Sequence, residues 1–84
     1  MTYAVRLSPR VERELKRLPA NIYHRVLVAL VSVASNPYEG KPLQGQLKGY
    51  YSYRVWPYRI IYTIIKKELI VIVIRIGHRR DVYR

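Results

Sequence analysis

From Tyr50 to Ile76 the chain is built almost entirely of strand-forming residues. Three apolar, aromatic and β-branched runs, about Tyr50 to Trp56, Tyr58 to Lys66 and Leu69 to Ile76, are separated only by Trp56-Pro57 and Lys66-Lys67-Glu68. Connections this short join antiparallel neighbours, because a parallel return needs a dozen or more residues. The second half is therefore an antiparallel meander. Ahead of it, Tyr3 to Leu7 alternates and reads as one more strand. Ser8 then offers a cap and Pro9 sits where a missing N–H costs nothing. Val11, Leu15 and Leu18 follow at helical spacing until Pro19. A second helix runs from about Ala20 to Ser35, with Ile22, Val26, Ala29, Leu30 and Val33 as its buried stripe and Asn36-Pro37 as its stop. Tyr38 to Gly49 is a loop. The order β-α-α-β-β-β predicts one α+β domain over residues 1–84, a helical hairpin packed on a largely antiparallel sheet, with a short tail after the last strand. Ile60, Tyr62 and Ile64 and the row Ile70, Ile72, Ile74 and Ile76 are expected to face the helices.

Charge is the strongest bulk signal. Sixteen basic and five acidic residues give +11. The excess is uneven: net +3 over residues 1–39 and net +8 over 40–84. Such a surface repels itself, so a polyanion is the natural partner, nucleic acid above all. There is no cysteine, which excludes disulfides and thiolate metal sites. Met1 to Arg10 has no apolar signal-peptide region, and no apolar run approaches the roughly 20 residues of a membrane span. A cytoplasmic location without membrane attachment is the expectation.

Strand parity places the charges. A two-residue turn at Trp56-Pro57 sets Arg54 opposite Arg59. A three-residue turn at Lys66 to Glu68 would set Arg59 opposite Arg75. The three arginines would then share one face, although like charges opposite each other destabilise a sheet. Gly77 is expected to turn the chain and bring His78, Arg79, Arg80 and Tyr83 beside them. Lys48, Arg75, Arg80 and Arg84 add phosphate-binding candidates. Arginine offers a planar fork that stays protonated, which suits phosphate. No metal or other cofactor is expected, because His and carboxylates do not cluster in the sequence. His24 and His78 have no nucleophile motif beside them. RNA carries its own nucleophile, the 2′-hydroxyl, and fixed cations can stabilise the charge that its attack builds on phosphoryl oxygens. A tyrosine can stack on a splayed base.

The segments "RELKRLPANI", "LKGYYSYRVWPYRIIYTI" and "VIVIRIGHRRDVYR" resemble the RelE/ParE toxin superfamily, and within it the RelE-type messenger-RNA endonucleases. The resemblance spans essentially the whole chain. It implies a toxin restrained by an antitoxin, and cleavage of messenger RNA in the ribosomal decoding site. It also implies roles. Arg59 matches the arginine that grips the scissile phosphate. Arg79 matches the one that stabilises the transition state and protonates the leaving group. Tyr83 matches the tyrosine that stacks on or orients the nucleotide. Arg54 stands where the best-known member has a lysine proposed as general base, and Ser52 replaces a second basic residue. Arginine is a poor proton acceptor, so His78 is the expected base and Lys48 the next candidate. Two alternatives belong to other classes: a ParE-type gyrase inhibitor without nuclease activity, and a basic module that binds RNA without cutting it.

Overall fold

The computed structural model describes residues 2–83. Its elements are β1 (Ala4–Leu7), α1 (Pro9–Lys16), α2 (Ala20–Ser35), β2 (Lys41–Pro42), β3 (Tyr50–Val55), β4 (Tyr58–Ile65) and β5 (Ile70–His78), with single 3₁₀ turns at Pro37–Glu39, Gly45–Leu47 and Lys66–Glu68. The five strands form one sheet in the order β1-β5-β4-β3-β2. Only β1 and β5 run parallel; every other pair is antiparallel. This is the expected α+β arrangement, two helices on a mostly antiparallel sheet. Among the described residues no helix is long and apolar enough to cross a membrane.

The start of α1 follows from its first two residues. Ser8 Oγ accepts the Val11 N–H at 3.2 Å, and Pro9 occupies the first turn. The helix ends at Lys16, before Leu18, because a residue preceding proline is pushed out of helical geometry. Val11 and Leu15 from α1 meet Ile22, Val26, Ala29, Leu30 and Val33 from α2, the stripe read from the sequence. The sheet contributes Val55, Ile60, Tyr62, Val71, Val73 and Ile76 to the same core.

Three expectations about β5 fail. First, the core row is Val71, Val73 and Ile76, not Ile70, Ile72, Ile74 and Ile76. Leu69 adopts a left-handed conformation, φ 55°, so the connection from Ile65 to Ile70 holds four residues and shifts the phase of the strand by one. Second, Ile61 pairs with Arg75 while Tyr62 pairs with Val73, which leaves Ile74 as the extra residue of a bulge. The bulge returns Ile76 to the core and sets Arg59 opposite Gly77, not opposite Arg75. Third, Gly77 does not turn the chain. The strand continues to His78, whose carbonyl oxygen then accepts the Asp81 and Val82 N–H groups at 2.8 and 3.0 Å to close the tail turn. The expected Tyr38–Gly49 loop also contains β2, which pairs Lys41 with Ser52 and Pro42 with Tyr51 at the sheet edge.

Candidate functional site

Tyr51, Tyr53, Val55, Tyr58, Ile60, Tyr62 and Ile64 pack towards the helices. The alternate positions, Ser52 and Arg54 on β3 and Arg59 and Ile61 on β4, therefore face the other side of the sheet. On that side Arg54 lies opposite Arg59, as the two-residue turn predicts. Ser52 is 1% exposed. Its Oγ accepts one hydrogen bond from Arg59 Nη1 at 3.0 Å and another from the Tyr83 hydroxyl at 3.1 Å. One buried oxygen thus ties a strand guanidinium to the last described residue of the tail. Val82, buried beside Tyr83 and next to Gly77, anchors the tail on the sheet. The Tyr83 residue itself remains 47% exposed. A cleft of about 280 Å³ opens here, lined by Glu39, Gly40, Lys41, Ser52, Tyr53, Arg54 and Arg59. Among the described residues no carboxylate pairs with Arg54 or Arg59.

Arg75 has a different setting. β1 stops at Leu7, opposite Val73, so the outer edge of β5 is uncovered beyond that point. Glu14 of α1 fills the gap. Its carboxylate accepts Arg75 Nε at 2.9 Å through one oxygen and the Ile76 backbone N–H at 3.0 Å through the other. The register sets Arg75 opposite Ile61, on the face of Arg54 and Arg59, where it lines a second cleft of about 330 Å³ with Ile61, Val82 and Tyr83.

The remaining candidates are scattered. The Arg79 guanidinium lies 4.9 Å from the centre of the Trp56 ring, and the Arg79 N–H donates to the Pro57 carbonyl at 2.9 Å. His78 follows the alternation of Ile76 onto the helix side, where its ring meets Tyr58 edge-on at 5.6 Å. His78 Nδ1 accepts the Arg80 N–H at 3.2 Å. His78 does not line the Arg59 cleft. Arg80 is exposed in the tail turn, and Lys48 is exposed in the loop before β3, outside the Arg59 cleft. Arg84 lies outside the described residues.

A family model described as "ParE toxin of type II toxin-antitoxin system, parDE" matches residues 5–83. The chain belongs to the RelE/ParE superfamily of type II toxins. Toxin RelG of Mycobacterium tuberculosis is 36% identical to it over 86 aligned positions, covering 100% of this chain and 99% of RelG. Toxin RelE of the same organism is 33% identical, covering 98% and 87% of the two chains. A toxin chain in the crystal structure of the toxin–antitoxin complex RelBE2 from M. tuberculosis superposes with a TM-score of 0.86 at 33% identity, covering 94% of this toxin and 100% of that chain.

In this toxin the residue that joins the site together is one that the charge pattern does not point to. Ser52 carries no charge and stands between two tyrosines in a strand. The available signal is its parity: it shares a row with Arg54 and lies opposite Ile61, on a face with few other small polar groups. Glu39 and Lys41 are a second omission. Neither belongs to a motif, and both reach the cleft because the edge strand β2 runs beside Ser52.

Proposed function

We propose that the toxin is an endoribonuclease that cuts messenger RNA in the ribosomal decoding site without a metal ion, giving a 2′,3′-cyclic phosphate and a 5′-hydroxyl. The observation that carries this reading is Arg59. It is fixed by Ser52, faces Arg54 across the sheet, and lies in a cleft with no carboxylate paired to either arginine among the described residues. A sheet that holds two like charges together gains stability when an anion sits between them. A scissile phosphodiester is such an anion. Arg54 and Arg59 would grip its oxygens and stabilise the charge that builds as the 2′-hydroxyl attacks. The half-exposed Tyr83 ring would stack on the neighbouring base while its hydroxyl stays on Ser52. Arg79 would stabilise the charge on the departing 5′-oxygen, which takes a proton from water to become the 5′-hydroxyl. Glu39 is the one carboxylate lining the cleft, so we assign it, and not His78, to receive the 2′-hydroxyl proton.

The names of the relatives support a toxin held by an antitoxin. α2 exposes Val28 and Val31 beside a groove of about 400 Å³ lined in part by His24, Arg25, Tyr53 and Arg54. With a net charge of +11, this surface suits an acidic, amphipathic antitoxin segment that orders on binding. Primer extension on cellular messenger RNA after induction tests the whole reading. Cuts within translated regions are expected. The name of the matching family model keeps gyrase inhibition as the second reading, and DNA breaks with intact messages would establish it. Neither kind of break would leave a basic RNA-binding module.

A further inference from the structure

Trp56 is the chain's one tryptophan, and it is 51% exposed on the turn between β3 and β4. A side chain of that size adds little to the fold while half of it stays in water. It is nevertheless held in place. The Arg79 guanidinium covers part of the ring at 4.9 Å, and the Arg79 N–H to Pro57 bond fastens the start of the tail to the same turn. Two flat groups are thus fixed together at the sheet end. Trp56 stands on the turn that closes the β3–β4 pair, two residues after Arg54 and three before Arg59.

We propose that Trp56, backed by Arg79, is a stacking platform for an unpaired base of single-stranded RNA, next to the phosphate held by Arg54 and Arg59. The indole surface that Arg79 leaves open takes the base. Every base has a π-face, and aromatic rings and guanidinium planes are the surfaces on which proteins stack bases of single strands. A duplex hides those faces between neighbouring pairs, so it cannot use the platform. The arrangement also gives the tail a second role. It delivers Tyr83 to Ser52 and Arg79 to Trp56, placing two aromatic platforms at the ends of one arginine pair. The proposal rests on the nuclease reading for its ligand, single-stranded RNA, but does not need the strand to be cut.

The test uses the full chain, free of any antitoxin, and a short single-stranded RNA with 2′-O-methyl groups throughout, which cannot be cleaved. With one tryptophan in the chain, its emission reports on the platform directly. Saturable quenching by the single strand is expected. Inorganic phosphate, an abasic strand and a blunt duplex should leave the emission unchanged. Trp56→Ala should weaken binding of the strand roughly 5- to 150-fold, the loss expected for one stacked base, and Trp56→Phe should lie between it and the parent. A strand that binds with silent emission, quenching by the duplex as strong as by the strand, or a Trp56→Ala variant that binds like the parent overturns the platform. Should Trp56→Ala fail to fold, Trp56→Phe and the parent's emission still decide. Binding with quenching but no cleavage of unmodified message on ribosomes removes the nuclease reading and keeps the platform. Cleavage with silent emission does the reverse.

Discussion

Arg59 and Arg75 lie on adjacent strands of one sheet, and their surroundings differ in kind. Arg75 meets a carboxylate that also satisfies a backbone N–H at the bare edge of β5. Its charge meets Glu14, which Arg10 also approaches at 3.8 Å. Arg59 meets a serine hydroxyl, which orients a guanidinium without neutralising it, and has Arg54 opposite. The first arrangement uses its charge to close a gap between helix and sheet. The second keeps charge available to an incoming anion. Where the toxin places its few acidic residues distinguishes the two arginines better than their number does.

The largest effect should come from removing the available charge. Arg59→Ala is expected to lower the cleavage rate on ribosomes roughly 100- to 1000-fold, the scale for losing one transition-state donor, about 2.7–4 kcal/mol. Its melting temperature should stay level or rise slightly, because the repulsion from Arg54 is relieved. A variant that cuts at the parent rate, or that unfolds, would erase the distinction between the two arginines.

Glu14→Ala probes the other side and should show the opposite profile. It strands the Ile76 N–H and leaves Arg75 beside an empty edge, a loss of about 1–3 kcal/mol. For a domain of this size each kcal/mol lowers the melting point by roughly 4–8 °C. Glu14→Gln keeps an acceptor for the N–H and should lose less. Both variants should cut RNA within about twofold of the parent at a temperature where they remain folded. A large catalytic defect there would show that Arg75 also serves the site.

The sequence makes half of this comparison legible. A two-residue turn fixes register rigidly, so the pairing of Arg54 with Arg59 follows from Trp56-Pro57 alone. The stripe on α2 is equally clear, because its apolar residues recur at helical spacing against polar neighbours. β5 is different. From Ile70 to Ile76 both parities are apolar except at Arg75, so alternation carries no phase. Leu69 in a left-handed conformation and the bulge at Ile74 then shift the register without leaving a trace in the residue types. Glu14 reads as one more solvated charge on a helix until the edge that it caps is known. The roles of Arg59, Arg79 and Tyr83 rest on family resemblance, which marks Ser52 only as the replacement of a basic residue; its bonds to Arg59 and Tyr83 become visible only once the sheet and tail are assembled.

Ser52→Ala tests whether the hydroxyl is what sets the available arginine in place. Losing its bond to Arg59 and its bond to Tyr83 should slow cleavage about tenfold, roughly 1.4 kcal/mol. Ser52→Thr, which keeps an oxygen, should recover part of the rate. Tyr83→Phe keeps the ring and loses only its bond to Ser52, so the Ser52→Ala and Tyr83→Phe defects should combine less than additively. Fully additive defects would mean that Ser52 does not act through the tail.

The smallest effect is expected at Tyr62, which belongs to neither arginine but supports the wall of the Arg59 cleft. Its buried hydroxyl donates to the Pro37 carbonyl at 2.7 Å, and Gly40 packs so close that a Cβ there would collide with the phenol oxygen. These contacts hold the segment that supplies Glu39, Gly40 and Lys41 to the cleft. Tyr62→Phe should lose about 1 kcal/mol at neutral pH, the net value of one hydrogen bond. Burial pushes the Tyr62 hydroxyl up to about 12 from its ordinary value of 10. An acid with a raised folded value contributes stability that is complete below pH 10 and is lost as the pH climbs towards 12, because only the unfolded chain ionises in that window. The melting-temperature gap between parent and Tyr62→Phe should therefore narrow from pH 9 to pH 11, with the other tyrosines and the lysines cancelling in the difference. A gap that stays constant would show that the phenol does not stay protonated in the fold. A folded Tyr62→Phe that cuts RNA several-fold more slowly would show that the cleft wall transmits core packing to Arg59, so that the structural and functional halves of the sheet are coupled.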